Sequence, residues 1–186
     1  LPEGSIVDLP PDAIVTDIAR EWIQKKRLKL VYGEANSVQS PKKARVAIGS
    51  DHAGFEMKQA VKELLRELGA DFVDYGTHTT EPVDYPYFAH AVARAVAIGR
   101  AELGIFVDVA GTGSAIVANK GPGVRAVSCL DEATSRVGRE HNDANVLTLG
   151  SRFLSKETMG KIVRTFLSAG LTETRHRERV RKITDI

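Results

Sequence analysis

From residue 45 onwards the chain alternates short apolar runs with longer amphipathic stretches. The apolar runs, each ending at or near Gly, Asp or Ser, are Val46–Ile48, Phe72–Tyr75, Gly104–Val107, Val124–Val127 and Asn145–Leu149. Apolar positions at helical spacing fill the stretches 54–68, 86–98, 114–120, 131–140 and 156–169, and a more polar stretch, 172–184, predicts a peripheral helix. Strands that alternate with helices predict an α/β fold with a five-stranded parallel sheet, covered by helices on both faces.

The first 44 residues follow a different pattern and predict a short appended unit. Ile6-Val7 and the segment 28–31 favour two strands, and Ile14, Ile18 and Trp22 have the spacing of a helix. Residues 33–44 are rich in Gly, Asn, Ser and Pro, which is typical of a linker. We therefore divide the chain into an extension with its linker, residues 1–44, and a main domain, residues 45–186. So few apolar groups predict that the extension docks on the main domain or on another chain.

Composition and charge narrow the class of protein. The 186 residues are 42% hydrophobic, which suits one domain with a real core. Twenty-six basic and 24 acidic side chains leave a net charge of +2, which argues against a nucleic-acid binder. No apolar stretch is long enough to cross a membrane, and no segment resembles a secretory signal. We expect a cytoplasmic protein.

The single cysteine, Cys129, excludes an internal disulfide and a multi-cysteine metal site. No set of His, Cys and Asp residues has the spacing of zinc ligands either. We therefore expect neither a bound metal nor a structural disulfide.

Chemistry in a parallel sheet is expected beyond the carboxyl ends of its strands. The segment Asp108–Ser114 follows the third strand, and its Gly111 and Gly113 allow the backbone to approach a ligand closely. The amides at the start of the next helix would then face an anion. A tight strand-to-helix turn explains the same residues equally well, and a phosphate-binding P-loop is excluded because its Gly-Lys-Ser/Thr ending is absent.

Several titratable residues have both a structural and a functional interpretation. Asp51 can cap the following helix or bind a hydroxyl group of a substrate. His141 is a candidate general acid-base group. Arg175 and Arg179 are four residues apart, so on a helix they share one face that suits a phosphate; a solvated helix face is the alternative.

The sequence resembles one family through several separate motifs. They occur in this order: GSDHAGFEMK (49–58), VDYP (83–86), VANKGPGVRA (117–126), REHNDANVLTLGSR (139–152) and RHRERV (175–180). Together they resemble the ribose-5-phosphate isomerase B and galactose-6-phosphate isomerase family over about residues 45–184. The resemblance implies a Rossmann-like three-layer sandwich and a cofactor-free aldose–ketose isomerase that acts through an enediolate. It also implies a homodimer or dimer of dimers with shared sites, and ribose 5-phosphate with ribulose 5-phosphate as the first candidate substrates.

The resemblance assigns roles to residues position by position. It implies that Asp51, His52 and Tyr85 contact the sugar, and that His141, with Asn142 beside it, reaches across the dimer interface to open the ring. It implies phosphate binding by Arg152, Arg175 and Arg179. The anion-stabilising loop corresponds to Val109, Ala110, Gly111, Thr112 and Gly113.

One departure concerns the residue that moves the proton. The family usually has a cysteine after the third strand; an ungapped alignment places Asp108 there, and a gapped one places Ala110. Our hypothesis is that Asp108 transfers the proton while loop amides hold the enediolate oxygen. Two alternatives remain open: a subunit resembling galactose-6-phosphate isomerase A that needs a partner chain, and a non-catalytic sugar-phosphate binder or assembly protein.

The extension has a resemblance of its own. Residues 9–31 resemble a short segment that is appended to enzymes linked with bacterial microcompartments, although Asp17 stands where that segment usually has proline. This predicts cargo targeting or an assembly contact through residues 1–44.

Overall fold

The structure, a computed structural model, describes residues 6–9, 23–32 and 45–185. It divides into two units, residues 1–41 and 42–186. In the first unit, strands β1 (Ile6–Leu9) and β2 (Lys29–Tyr32) pair in parallel, with Ile6 opposite Lys29. Both strands were predicted. The helix predicted around Ile14, Ile18 and Trp22 lies outside the described residues.

The main unit is built on a five-stranded parallel sheet. Its strands are β3 (Arg45–Ser50), β4 (Asp71–Asp74), β5 (Leu103–Asp108), β6 (Ala126–Ser128) and β7 (Val146–Gly150). They lie in the order β4-β3-β5-β7-β6, and every neighbouring pair is parallel. The predicted fold class is confirmed.

Helices follow the strands as predicted. They are α1 (Phe55–Glu67), α2 (Tyr85–Ala97), α3 (Thr112–Ala118), α4 (Glu132–Asn142), α5 (Lys156–Ser168) and α6 (Thr174–Thr184). Local sequence fixes several helix starts: Asp131 caps α4 by accepting from the amide of Thr134 at 2.7 Å, and Ser155 caps α5 by accepting from Thr158 at 3.0 Å.

Each face of the sheet is covered by its own helices. One core contains Val46 and Ile48 of β3, Val61 of α1, Ile105 of β5 and Ile162 of α5. The opposite core contains Ala47, Val92, Phe106, Ala118 and Val146, from α2, α3 and the other side of the same strands. Alternate residues of each central strand therefore enter different cores, which explains why the strands are apolar throughout.

Several element boundaries differ from the predictions by one or two residues, and two of these differences have a clear local cause. Strand β6 begins at Ala126 rather than Val124, because the Arg125 amide bonds to a side chain instead of a strand: it donates to Oδ1 of Asn145 at 2.7 Å. Helix α3 begins at Thr112 rather than residue 114, directly after Gly111, which has a left-handed φ of +79°. Only glycine adopts this conformation without strain, so the turn is completed early.

Candidate active site

Asp51 and Asp108 lie side by side at the carboxyl edge of the sheet. In the β3–β5 ladder Ser50 is paired with Val107, and the next residue of each strand is an aspartate. The Asp51 amide continues this ladder by donating to the Val107 carbonyl at 3.2 Å. Each aspartate is only 5% exposed. The structure thus brings together two acidic residues that the sequence analysis had assigned separately.

Asp108 bonds to the loop that follows it. Its Oδ1 accepts from the Ala110 amide at 2.9 Å and from the Gly111 amide at a shorter distance. These two amides were expected to face a bound anion, but here they hold the carboxylate of the same chain. A Cβ on Gly111 would lie 2.7 Å from the Ser128 hydroxyl, so this turn also requires glycine for space.

Asp51 is held less firmly than Asp108. Its Oδ1 accepts from the Gly54 amide at 2.8 Å, just before α1, so the predicted capping contact is present. Burial is the main cause of the raised pKa of Asp51; the Gly54 hydrogen bond opposes it, the charge of Asp108 adds to it, and that of His52 opposes it.

His52 and Tyr85 border the same edge. Nδ1 of His52 lies 3.2 Å from both the amide nitrogen and the carbonyl oxygen of Val83, which leaves Nε2 to meet a ligand. The Tyr85 hydroxyl packs against Gly113, where a Cβ would come within 2.7 Å of it. The loop after β5 and the start of α2 are therefore in direct contact.

Arg152 joins this edge from β7. Its amide donates to the Val109 carbonyl at 3.2 Å, while its side chain is exposed. A depression of about 460 Å³ lies beside it, lined by Ala53, Glu56, Val109, Ser151, Arg152 and Lys156, among others. The carboxyl edge thus carries two carboxylates, an imidazole, a phenol and a guanidinium.

Sequence analysis did not identify Lys58, a buried cation that supports this edge. Lys58 is 0% exposed, and its Nζ donates to Asp74 Oδ1 at 2.8 Å and to the Thr77 carbonyl at 2.5 Å. Thr77 in turn donates its amide to the Ser50 carbonyl at 2.7 Å, and Ser50 donates to the Gly76 carbonyl at 2.6 Å. Lys58 therefore ties the segment after β4 to the residue before Asp51.

The pKa values of both Lys58 and Asp74 are lowered, by different causes. Burial lowers the pKa of Lys58, against the opposing effect of Asp74. Burial would raise the pKa of Asp74, but hydrogen bonds from Lys58 and Lys62 outweigh it and lower that pKa. Hydrogen bonds from two lysines thus favour the ionised carboxylate of Asp74, and burial opposes the charged form of Lys58.

His141 lies at the opposite edge of the sheet in the same chain. Helix α4 starts beyond the carboxyl end of β6 and ends before the amino end of β7, and its 11 residues span about 16 Å. His141 is in its last turn. Its ring stacks on His176 of α6, with centroids 4.1 Å apart and planes 9° apart. The histidine and the two aspartates are not brought together within one chain.

Arg175, Arg179 and Asn142 accompany His141. Arg175 and Arg179 flank His176 on α6, and both side chains are exposed. Arg175 pairs with Glu173, Nε to Oε2 at 2.5 Å. Asn142 is the exposed last residue of α4. One chain therefore carries two separate groups of predicted residues, one at each edge of the sheet.

His176 is the second functional candidate that the sequence analysis did not assign. It is 3% exposed, and its Nε2 has no hydrogen-bond partner among the described residues. Burial is the main cause of its lowered pKa, and the charge of His141 adds to it; Glu173 opposes this, while Arg175 and Arg179 lower it further. Its place between the two predicted arginines was the available sequence signal.

Other predictions concern metals, membranes and the cysteine. Among residues 6–9, 23–32 and 45–185, no three His, Cys, Asp or Glu side chains come together as a metal site would need. Within the same ranges, each helix is too short or too polar to cross a lipid bilayer. Cys129 is buried in the core next to α5, and burial raises the pKa of its thiol.

Comparison with known proteins gives a consistent result over the main unit. The family model described as Ribose/Galactose Isomerase matches residues 46–183. The chain is similar to ribose-5-phosphate isomerase B of Escherichia coli K12, with 42% identity over 142 residues that cover 76% of this chain and 95% of that protein.

Solved structures agree with the sequence match. Type B ribose 5-phosphate isomerase of Trypanosoma brucei has a TM-score of 0.75 at 43% identity, covering 77% of this chain and 99% of that one. Ribose-5-phosphate isomerase B of Mycoplasma genitalium, solved with bound ribulose-5-phosphate, has a TM-score of 0.73 at 37% identity, covering 76% and 94%.

Proposed function

The chain belongs to the ribose/galactose isomerase family, and on this premise we propose that it interconverts ribose 5-phosphate and ribulose 5-phosphate. The reaction proceeds through an enediolate and uses no cofactor. The observation that carries the proposal is the carboxyl edge, where Asp51, His52, Tyr85, Asp108 and Arg152 border one another. The bound ribulose-5-phosphate in the Mycoplasma genitalium relative supports the same choice of substrate.

We assign proton transfer to Asp108. Its Oδ1 is fixed by the amides of Ala110 and Gly111, so Oδ2 is the oxygen left to meet the sugar. A carboxylate removes the proton from C2 of the aldose and returns it to C1, which replaces the thiol chemistry usual in the family. The first amides of α3, at Thr112 and Gly113, lack intrahelical partners and hold the enediolate oxygen.

The second half of the site comes from a neighbouring copy. His141 and Asn142 serve ring opening, and Arg175 and Arg179 bind the phosphate, but all four lie at the opposite edge from Asp108 in their own chain. A homodimer or dimer of dimers brings the two edges together. Exposed apolar side chains on α2 and α3, Tyr87 and Ile116, offer surface for such a contact.

Replacing Asp108 tests the catalytic assignment. We expect Asp108→Asn to abolish isomerisation, because the amide cannot accept the proton, while the two loop hydrogen bonds to its side-chain oxygen survive. The matched control is Asp71→Asn, an exposed carboxylate paired with Arg45 at 3.4 Å, which should keep full turnover. Undiminished turnover in Asp108→Asn removes Asp108 from the mechanism.

Mixing two inactive variants tests the shared site. Asp108→Asn and His141→Asn disable different halves, so a mixed dimer retains one intact site. Random mixing makes about half of the dimers mixed, so we expect recovery of about a quarter of wild-type activity. Mass spectrometry checks that the mixture contains mixed dimers. If it does and no activity is recovered, both residues belong to the same half of the site.

A subunit that needs a different partner chain is the second candidate. It is favoured by the segment from Val107 to Ser114, which has the Val-Asp-x-x-Gly-x-Gly-Ser pattern of galactose-6-phosphate isomerase A and lacks the thiol. The purified chain alone discriminates the two: turnover of five- or six-carbon sugar phosphates excludes the obligate partner. Calorimetric binding of ribose 5-phosphate without turnover would instead indicate the non-catalytic binder.

We propose a cytoplasmic location, with residues 1–44 directing the enzyme to a microcompartment. The support is the resemblance of residues 9–31; residues 10–22 of that segment lie outside the described part of the chain. Fusing residues 1–44 to a fluorescent reporter tests this, because the fusion should colocalise with assembled shells. A diffuse reporter beside assembled shells argues against targeting.

A further inference from the structure

Two carboxylates occupy laterally adjacent positions of one parallel ladder. Asp51 and Asp108 directly follow the paired residues Ser50 and Val107. Neighbouring strands in a sheet lie about 4.8 Å apart. Since paired residues of parallel strands point to the same face, the two side chains lie on one side of the sheet. That side is the α2/α3 face, which the alternation along β3 and β5 indicates.

Burial makes two charges at this spacing costly. Each aspartate is 95% buried, so little water screens their repulsion. Paired carboxylates in such surroundings share a proton rather than both ionising. The pair in the ligand-free protein therefore binds its first proton more tightly than an isolated carboxyl does.

The hydrogen bonds decide which oxygen carries that proton. Asp108 Oδ1 accepts two backbone N–H groups, from Ala110 and Gly111, whereas Asp51 accepts one, from Gly54. Bonds from N–H groups stabilise the ionised form, and two stabilise it more than one. This asymmetry favours Asp51 as the residue that carries a shared proton.

We infer that Asp51 and Asp108 form a carboxylate pair that carries a single proton, held on Asp51, while Asp108 keeps the negative charge. The charges that act on Asp51 are those of Asp108 and the adjacent His52. Further titratable groups at this edge are Tyr85, against Gly113, Arg152, after β7, and Glu56 and Lys156, which line the depression beside Arg152. The raised pKa of Asp51 agrees with the inference, since burial and Asp108 both contribute to it.

In the reaction, Asp108 acts as the base and Asp51 as the acid. This assignment of roles rests on the proposed function. The C2–H bond breaks, its proton moves to Asp108, and its electrons form the C1–C2 double bond of the enediolate. The former carbonyl oxygen gains the negative charge and accepts a hydrogen bond from the protonated Asp51. Asp51 then gives its proton to O1 and takes the proton of the O2 hydroxyl as C2 becomes the carbonyl carbon, while Asp108 returns its proton to C1. The isomerisation is thereby complete with no other reactant, and the pair regains its starting protonation.

Carbon-13 NMR of the ligand-free full chain tests the pair without any need for activity. With aspartate labelled at its side-chain carboxyl, one signal should titrate well above the ordinary range, and Asp51→Asn should remove it. In Asp108→Asn the midpoint of that signal should fall by about one pH unit or more. Asp71, exposed at the edge of the sheet, is the internal control and should be unchanged.

Two results would overturn the pair: ordinary titration of Asp51 in the wild type, or a midpoint unaffected by Asp108→Asn. If Asp108→Asn does not fold, infrared spectroscopy decides instead. Just below the midpoint of that signal, where isolated carboxyls are already ionised, the wild type should show the carbonyl stretch of a protonated carboxyl that Asp51→Asn lacks, and its absence overturns the inference. An isomerase with an ordinary Asp51 refutes only the pair, and a titrating pair in a chain without turnover refutes only the proposed function.

Discussion

The imidazole rings of His141 and His176 are stacked in parallel, with their centroids 4.1 Å apart. His176 is almost completely buried beneath His141, so a proton on both rings would place two cations face to face. This contact fixes the ring plane of the proposed ring-opening residue. It also links the end of α4 to α6, which carries the proposed phosphate-binding arginines.

Acid should destabilise the protein through His176. The pKa of His176 is lowered in the folded state, chiefly by burial and then by the charge of His141. Below about pH 6.5, the imidazole is therefore protonated in the unfolded chain more fully than in the folded one, and this difference favours unfolding. The free energy of unfolding should therefore fall between pH 7 and pH 5 in urea titrations. His176→Phe should reduce this fall, while His90→Gln, at an exposed position, should not. Equal slopes in His176→Phe and the wild type would contradict the assignment.

Lys58→Met should destabilise the protein by about 3 kcal/mol, because removing the fully buried lysine leaves its polar partners short of a donor. The Thr77 carbonyl loses its lysine, and Asp74 keeps only Lys62 and the Gly76 amide. Since Thr77 is bonded to Ser50, kcat should fall as well, with little change in KM. Lys62→Met, which leaves the Thr77 contact intact, is the control, and an equal loss of kcat in both variants would refute this role.

Arg175→Ala and Arg179→Ala should each raise KM for the sugar phosphate by about tenfold or more, since a charge-assisted hydrogen bond contributes roughly 1.5 kcal/mol or more. Thermal stability should change little, because both side chains are exposed. Arg177→Ala, on the same helix between them, is the matched control. If it raises KM equally, general charge attraction explains the effect, and dependence of KM on ionic strength will show this.

Gly113→Ala should impair the carboxyl edge. The new Cβ would lie 2.7 Å from the Tyr85 hydroxyl, so the phenol or the loop must move. We expect a clear loss of kcat. Gly160→Ala is the control, because its Cβ meets nothing within 4 Å and alanine favours a helix by about 1 kcal/mol. Wild-type kinetics in Gly113→Ala would show that Tyr85 does not need its present position.

The sequence predicted the sheet and its helices because buried parallel strands are apolar on both faces and glycine or aspartate ends them. It also proposed functional roles for residues that lie at the two edges, and those roles remain predictions. It did not predict that Asp51 and Asp108 are neighbours, because this depends on β3 pairing with β5 rather than only with β4. Strand order is a tertiary property that local patterns do not contain.

The buried Lys58 was missed for a different reason. Lysine is seldom fully buried, so the helix 54–68 was assigned its core positions from apolar residues alone. Yet Lys58 is three residues before Val61 and seven before Leu65, which places it on the buried face. The ion pair could have been predicted from two features of the sequence. A lysine has the spacing of a core residue in the helix, and an aspartate ends the strand that follows.

Helix α4 carries its histidine away from the aspartates of its own chain, and this has an evolutionary consequence. A substitution at one edge of the sheet leaves the chemistry at the other edge untouched. In the proposed shared site, a gene duplication would allow one copy to lose its carboxylates and the other its histidine and arginines, because a mixed dimer would keep one complete site. Loss of the carboxylates in one copy, and of the histidine and arginines in the other, would turn a symmetric homodimer into an enzyme made of two non-identical chains.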